Sequence, residues 1–155
     1  MTNNDVLRSL RYALNFSETR MVEICNLAEL TITRAQITDL LKKEDEAGYV
    51  ECSDEIMSGF LDGLIAHKRG KLETRSVPDT NPRARLSNNG KLKKIRVAFE
   101  LKEEDMHAIL ELADFQISKP ELSALFRKKG HKNYRDCGDQ ILRNFLKGLT
   151  IRLRG

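Results

Sequence analysis

The sequence predicts an all-α protein made of two tandem four-helix repeats related by a pseudo-two-fold axis, with no sheet. Two observations support this fold class. Apolar residues recur at helical spacing without an alternating strand pattern, and the chain aligns onto itself at an offset of 85 residues. With 155 residues, of which 40% are hydrophobic, the chain can fold as one ordinary domain or two small ones, and it is too apolar to be disordered.

The internal repeat covers nearly the whole chain. Residues 3–70 align without a gap onto residues 88–155, and 23 of the 68 aligned pairs are identical. A gapless match of this length predicts a duplicated unit, with a first repeat over 1–70 and a second over 88–155. Since one such unit buries little apolar surface by itself, we expect the two repeats to pack on each other.

The segment between the repeats, residues 71–87, is predicted to be an exposed linker. It contains Pro78 and Pro82, two of the three prolines of the chain, among Ser, Thr, Asp and Asn residues. Such a composition interrupts helices and offers little apolar surface to bury.

The first and second helices of each repeat are indicated by apolar residues three or four positions apart. Because an α-helix turns every 3.6 residues, such residues form one face that can be buried. The first helix has Leu7, Leu10 and Leu14, matched by Leu92, Ile95 and Phe99, and the second has Met21, Ile24 and Leu27, matched by Met106, Ile109 and Leu112.

A capping box predicts where the third helix of each repeat begins. Thr33 with Gln36, and Ser118 with Glu121, place a hydroxyl at the N-cap and a polar side chain three residues later. Pro120 is compatible with this position, because the first turn of a helix has no intrahelical partner for the N–H that proline lacks.

The fourth helix has the clearest apolar pattern. Asp54 and Asp139 stand at its start, where a carboxylate is expected to cap free N–H groups and to interact favourably with the helix dipole. Gly63 and Gly148 fall inside it, although glycine costs about 1 kcal/mol relative to alanine in a helix. Their matched positions predict a close approach of another helix. The apolar positions are Ile56, Met57, Phe60, Leu61 and Leu64, matched by Ile141, Leu142, Phe145, Leu146 and Leu149.

Two pairs of matched segments resemble a known family. They are NNDVLRSLRYAL with its copy NNGKLKKIRVAF, and KKEDEAGYVECSDEIMSGFLDGLIAHKRG with its copy RKKGHKNYRDCGDQILRNFLKGLTIRLRG. In these segments the chain resembles the bacterial YehS-like family, small cytoplasmic proteins built from a tandem domain of unknown function. The resemblance implies an all-helical duplicated fold, and it transfers no catalytic or ligand-binding residue.

Motifs of enzymes, cofactor sites and metal sites are missing from the sequence. There is no Gly-rich phosphate loop, no H-E-x-x-H and no G-x-S-x-G, and no histidine stands at zinc-ligand spacing from a cysteine pair. We therefore predict a protein that is not an enzyme and that uses no cofactor and no metal.

The expected location is the cytoplasm, without a membrane partner. The chain has no run of about 18 apolar residues, the length that a spanning helix needs. Three cysteines, an odd number, combined with the lack of an export signal, favour reduced thiols.

Two cysteines at matched positions are candidates for a thiol-based redox role. Cys52 and Cys137 both lie just before the fourth helix, and a helix N-terminus lowers the pKa of a thiol. The alternative is that each one packs in the core as a small apolar side chain.

Tyrosines and aspartates also recur at matched positions around the start of the fourth helix. Tyr49 and Tyr134 are either ligand-stacking residues or hydrophobic anchors of that helix. Asp54 and Asp139 are either helix caps or a carboxylate pair brought together across the two-fold axis.

The formal net charge of +4 hides opposite charges on the two repeats. The first repeat has 8 Lys+Arg and 12 Asp+Glu, a net of −4, whereas the second has 15 and 9, a net of +6, and the linker adds +2. Glu44, Asp45 and Glu46 align with Lys129, Gly130 and His131, so one scaffold carries opposite signs. The candidate polyanion-binding residues are Lys91, Lys93, Lys94, Arg127, Lys128, Lys129, Lys132 and Arg135.

Two classes of function follow from this charge distribution. The first is a non-enzymatic interaction or regulatory module, in which the charges recruit a protein partner or let copies of the chain associate, as in a homodimer. The alternative is a nucleic-acid-binding protein whose second repeat contacts phosphates. Its second and third helices would form a helix-turn-helix, although Gln116 occupies the place of the turn glycine.

Overall fold

The helices of the protein are arranged as the two predicted repeats require, with four helices in each repeat. The computed structural model describes residues 1–70 and 86–155, so the predicted linker over 71–87 lies outside the described residues except for its last two. Within those two ranges the chain forms helices and no strand, which confirms the all-α class. The helices are α1 (Asn3–Leu14), α2 (Glu18–Leu27), α3 (Arg34–Leu40), α4 (Asp54–Arg69), α5 (Asn88–Ala98), α6 (Glu103–Leu112), α7 (Lys119–Ala124) and α8 (Asp139–Arg154).

Hydroxyl side chains set the start of most helices. Thr2, Ser17 and Ser53 each accept a hydrogen bond from the backbone N–H three residues later, which satisfies a group without an intrahelical partner. The capping boxes predicted at Thr33 and Ser118 are both formed, which confirms the starts of α3 and α7.

Asp54 and Asp139 are not the N-caps of the fourth helices, so that prediction is wrong. The N-cap of α4 is Ser53, whose hydroxyl accepts from the N–H of Ile56 at 3.2 Å, and the N-cap of α8 is Gly138, which has no side chain. The aspartates are the first helical residues, and their negative charges still interact favourably with the positive end of the helix dipole. Their carboxylates accept hydrogen bonds from other segments instead.

The first helix of each repeat packs on the fourth helix of the other repeat. α1 lies along α8 and α5 lies along α4, while α2 packs on α4 and α6 on α8 within the repeats. This exchange is reciprocal, as a two-fold relation between the repeats requires. It matches the expectation that the two units pack on each other.

One hydrophobic core runs through both repeats. Phe60 of α4 and the matched Phe145 of α8 are fully buried, and all eight described helices contribute buried side chains to the same cluster. Leu10 of α1 and Ile95 of α5 are also fully buried, and each full burial of such a side chain contributes about 1.5–3 kcal/mol. Because α1 and α5 are covered by the opposite repeat, neither repeat completes its core alone.

Gly63 and Gly148 allow two helices to approach closely in each repeat. A Cβ atom on Gly63 would lie 1.9 Å from the carbonyl oxygen of Ile24, and one on Gly148 would lie 1.9 Å from that of Ile109. The predicted close approach is therefore confirmed. The approaching helix is the second helix of the same repeat in both cases, α2 on α4 and α6 on α8.

Candidate interaction surface

A buried asparagine ties the loop between α3 and α4 to the first helix. Asn4 is 1% exposed, and its Nδ2 donates to the carbonyl oxygens of Leu40 and Val50, both at 2.9 Å. Its Oδ1 accepts from the N–H of Cys52 at 2.9 Å and from the hydroxyl of Tyr49 at 3.2 Å. All polar atoms of the side chain are used, so the loop is held in one position.

The second repeat repeats this arrangement with Asn89. Its Nδ2 donates to the carbonyl oxygens of Leu125 and Arg135, both at 2.9 Å, and its Oδ1 accepts from the N–H of Cys137 at 2.8 Å. The loop between α7 and α8 is therefore anchored at two points of its backbone, on either side of its exposed residues.

Asp54 joins the two repeats. Its Oδ1 accepts from Nδ2 of Asn3 at 2.9 Å, and its Oδ2 accepts from the backbone N–H of Leu86 at 3.1 Å. Asn3 belongs to the first helix of its own repeat, whereas Leu86 leads into α5 of the other repeat.

Asp139 makes the equivalent contacts in the second repeat. Its Oδ1 accepts from Nδ2 of Asn88 at 2.8 Å, and its Oδ2 pairs with the terminal ammonium group of Met1 at 2.6 Å. These two hydrogen bonds hold the pKa of Asp139 below its usual value, and the charge of Arg143 adds to the effect. The contacts give each aspartate a role in linking segments.

The matched cysteines lie in the core. Cys52 is 3% exposed and Cys137 is 5% exposed, and Cys25 is buried as well. Burial raises the pKa of Cys52 to about 12 and that of Cys137 to about 11. The direction is opposite to the lowering that a helix N-terminus was expected to cause, because burial penalises the charged thiolate.

We expect the three thiols to be unreactive in the folded protein. Native protein at pH 8 should react with a chromogenic disulfide reagent at least about a hundredfold more slowly than protein unfolded in urea, because little thiolate forms and access requires opening. The absorbance of the released chromophore measures both rates. Rapid labelling of one or two thiols in native protein would instead favour the redox alternative.

Tyr49 and Tyr134 are half-buried beside these loops. Tyr49 donates its hydroxyl to Asn4, and partial burial is the main cause that raises the pKa of both tyrosines. For Tyr134 the carboxylate of Asp136 raises the pKa further. Tyr49 therefore helps to hold the loop before α4 by a polar contact, whereas the two alternatives that the sequence left open, ligand stacking and a hydrophobic anchor, stay predictions.

Two of the lysines selected as polyanion-binding residues are not surface cations. Lys91 is 5% exposed in the contact between the repeats, where its charge acts on the pKa of buried Cys52. Lys94 forms an ion pair with Asp62 of α4, and their side chains are 23% and 26% exposed. Lys93 is exposed, as predicted. Lys91 and Lys94 are three residues apart on α5, so both side chains lie on the helix face that packs against the first repeat.

The remaining candidates form a basic loop, residues 127–135, between α7 and α8. Arg135 pairs with Glu121 at 2.8 Å, and the pKa of that glutamate is lowered first by its hydrogen bonds with Ser118 and then by Arg135. The other four cations are exposed, and no residue in the described ranges forms an ion pair or a side-chain hydrogen bond with them. They are Arg127, Lys128, Lys129 and Lys132.

Backbone hydrogen bonds order the basic loop. The N–H of His131 donates to the carbonyl oxygen of Lys128 and that of Tyr134 to the oxygen of His131, both at 2.9 Å. The chain turns at Gly130, whose φ of +100° is a conformation that favours glycine. The four unpaired cations are thus presented on a structured loop.

The matched loop of the first repeat carries acids at its tip. Glu44, Asp45 and Glu46 are exposed there, and Lys42 is engaged by Asp39 at 3.0 Å and by the carbonyl oxygen of Ala47 at 2.9 Å. The two repeats therefore present loops of opposite charge at equivalent positions.

A groove between α1 and α8 was not selected from the sequence. It has a volume of about 370 Å³ and is lined by Ser9 and Tyr12 of α1 and by Arg143 and Lys147 of α8. Its two walls come from helices of different repeats, so only knowledge of how the repeats pack reveals it. From the sequence, Arg143 and Lys147 were counted among the basic residues of the second repeat but were assigned to no candidate site.

Metal and membrane sites were also sought in the described residues. Over 1–70 and 86–155, no group of three or more His, Cys, Asp or Glu side chains is placed to hold a metal ion. No helix in these ranges combines the length and apolar character needed to cross a bilayer.

The helix-turn-helix hypothesis receives no support from the third helices. α7 has 6 residues, which corresponds to fewer than two turns and a length of about 9 Å, so it can place few side chains along a DNA groove. Pro120 lies within this helix, so few side chains remain that would reach base edges.

These features define a duplicated all-α protein whose repeats share one core and present oppositely charged loops. The chain belongs to the family described as "Protein of unknown function (DUF1456)", whose model matches residues 3–70 and again residues 88–155. It is 48% identical over 152 residues to the "Uncharacterized protein YehS" of Escherichia coli (strain K12), covering 98% of this chain and 96% of that protein. The comparison with solved structures found no match.

Proposed function

We propose that the protein is a non-enzymatic interaction module that binds an acidic protein partner through the basic loop. The observation that carries the proposal is a set of four exposed cations on the loop at 127–135, for which residues 1–70 and 86–155 supply no ion-pair partner. Because the loop backbone is anchored by Asn89 and by internal hydrogen bonds, binding requires little ordering of the chain.

The opposite charges of the two loops support a single binding orientation. An acidic partner is attracted by the basic loop and repelled by Glu44, Asp45 and Glu46 at the matched position of the first repeat. Like-charge repulsion of this kind contributes to specificity. The proposal includes a cytoplasmic location, which the three unpaired cysteines support.

Fluorescence anisotropy with a labelled polyglutamate peptide tests this proposal. The variant Arg127→Ala/Lys128→Ala/Lys129→Ala should bind the peptide at least about tenfold more weakly than the natural protein, since each exposed ion pair contributes up to about 1 kcal/mol. Affinity should also fall as salt is added, because exposed charges are screened.

A variant with the same loss of charge serves as the control. Lys43→Ala/Lys102→Ala/Lys119→Ala removes three exposed cations that lie outside the basic loop, so it should keep nearly the natural affinity. If natural protein does not bind the peptide at low salt, or if both triple variants lose binding equally, the basic loop is not the binding surface.

Nucleic acid is the second candidate partner. The observation in its favour is that α8, which follows the basic loop in the chain, carries two further exposed cations, Arg143 and Lys147. Duplex DNA in the same anisotropy assay separates the candidates. For DNA, four phosphate contacts give a slope of log K against log salt of about −3 to −4. Stronger binding of DNA than of polyglutamate would favour this candidate.

A further inference from the structure

The two grooves between the repeats differ in charge at matched positions. Between α4 and α5, the ammonium group of Lys94 pairs with the carboxylate of Asp62. The repeat alignment places Ser9 and Lys147 at the equivalent positions between α1 and α8, and both residues line that groove. The ion pair is therefore missing from the second groove, where a lysine stands in place of the acid.

The ammonium group of Lys147 has no ion-pair or hydrogen-bond partner among the residues that the structure describes. Arg143 lies one turn earlier on α8, and both side chains are exposed in the groove. Like charges four residues apart on a helix repel each other and cost a few tenths of a kcal/mol. Asp139, one turn before Arg143 on α8, is already hydrogen-bonded to Asn88 and paired with the amine of Met1.

The opposite wall of the groove supplies polar and aromatic groups from α1. Arg8 is engaged by Asp5 and by the carbonyl oxygen of Lys42, the latter at 2.8 Å. Tyr12 is 59% exposed, and the guanidinium group of Arg154 lies 4.2 Å from its ring centroid. The hydroxyl of Ser9 remains as a hydrogen-bond donor on this wall.

We propose that the groove between α1 and α8 binds a small phosphate-type anion. Lys147 and Arg143 would neutralise its charge through charge-assisted hydrogen bonds, and the hydroxyl of Ser9 would donate to one of its oxygens. The volume of about 370 Å³ is sufficient for a small ligand. The basic loop takes no part in this site, so the inference does not depend on the proposed function.

Inorganic pyrophosphate titrated into the full-length protein by isothermal calorimetry tests this site. The informative variant is Ser9→Lys/Lys147→Asp, which builds into this groove the ion pair that Lys94 and Asp62 form in the other. Because that pair is accommodated at the matched position, the variant should fold, as circular dichroism will report. Its affinity for pyrophosphate should be at least about tenfold lower than that of the natural protein.

Two further measurements separate this site from other basic surfaces. Arg127→Ala/Lys128→Ala/Lys129→Ala should keep its affinity for pyrophosphate within about twofold. Pyrophosphate should also raise the melting temperature of the natural protein and not that of Ser9→Lys/Lys147→Asp. The inference is overturned if natural protein does not bind pyrophosphate, if the groove variant binds it equally well, or if the loop variant loses it.

Discussion

Replacing Gly148 by leucine is expected to destabilise the protein by about 3 kcal/mol or more. Any Cβ atom at this position would lie 1.9 Å from the carbonyl oxygen of Ile109, a backbone atom that cannot move without displacing α6. The larger leucine side chain would force α6 and α8 apart and open the core around the buried Phe145. Urea denaturation followed by circular dichroism measures the change in the free energy of unfolding.

Alanine substitutions provide the control for this prediction. Helix propensity alone predicts that Gly148→Ala stabilises α8 by about 1 kcal/mol, so a loss of stability would isolate the steric effect. Gly138→Ala adds a Cβ atom that meets nothing within 4 Å, so its loss of stability should stay at about 1 kcal/mol, the cost of alanine at the N-cap of α8. A Gly148→Leu variant with an unchanged urea midpoint would show that α6 does not approach α8 so closely.

Replacing Asn4 by alanine is expected to cost about 3 kcal/mol. The side chain is 1% exposed and makes four hydrogen bonds, three of them to backbone groups of the α3 end and the following loop. Removing it leaves buried donors and acceptors without partners, and this penalty exceeds the small net gain of an ordinary hydrogen bond. The same urea experiment measures the loss.

Substitutions of two other asparagines test whether the loss of stability increases with burial and with the number of hydrogen bonds. Asn89→Ala should cost about 2 kcal/mol, since Asn89 is less buried and makes three side-chain hydrogen bonds of the same kind. Asn144→Ala removes one exposed hydrogen bond within α8 and should stay within about 0.5 kcal/mol. Equal stability of the Asn4 and Asn144 variants would mean that the buried asparagine does not hold the loop.

The sequence predicted the parts of the fold that depend on local chemistry. Capping boxes at Thr33 and Ser118 fixed the starts of α3 and α7, because a hydroxyl N-cap acts within three residues of the chain. The close approach at Gly63 and Gly148 was predictable because a helical glycine without a packing reason costs stability. These signals are repeated in both halves, which makes each one more specific.

Predictions were wrong at residues whose environment is set by a segment distant in sequence. Asp54 looked like a helix cap in isolation, but its carboxylate binds Asn3 and the backbone of Leu86, which are distant in sequence. Lys91 looked like an exposed cation, but it is buried where α5 meets the first repeat. A pattern within one helix cannot tell which of its faces a neighbouring repeat will cover.

The sequence by itself determined an all-α duplicated protein, the four helices of each repeat and the opposite charges of the two repeats. The reason is that helical periodicity, capping and charge are properties of residues close together in the chain. Only the tertiary structure decided that each first helix packs on the fourth helix of the other repeat. That exchange buries Lys91 and pairs Lys94 with Asp62, and in the equivalent groove no described residue pairs with Lys147. Each outcome depends on which side chain arrives from the opposite repeat.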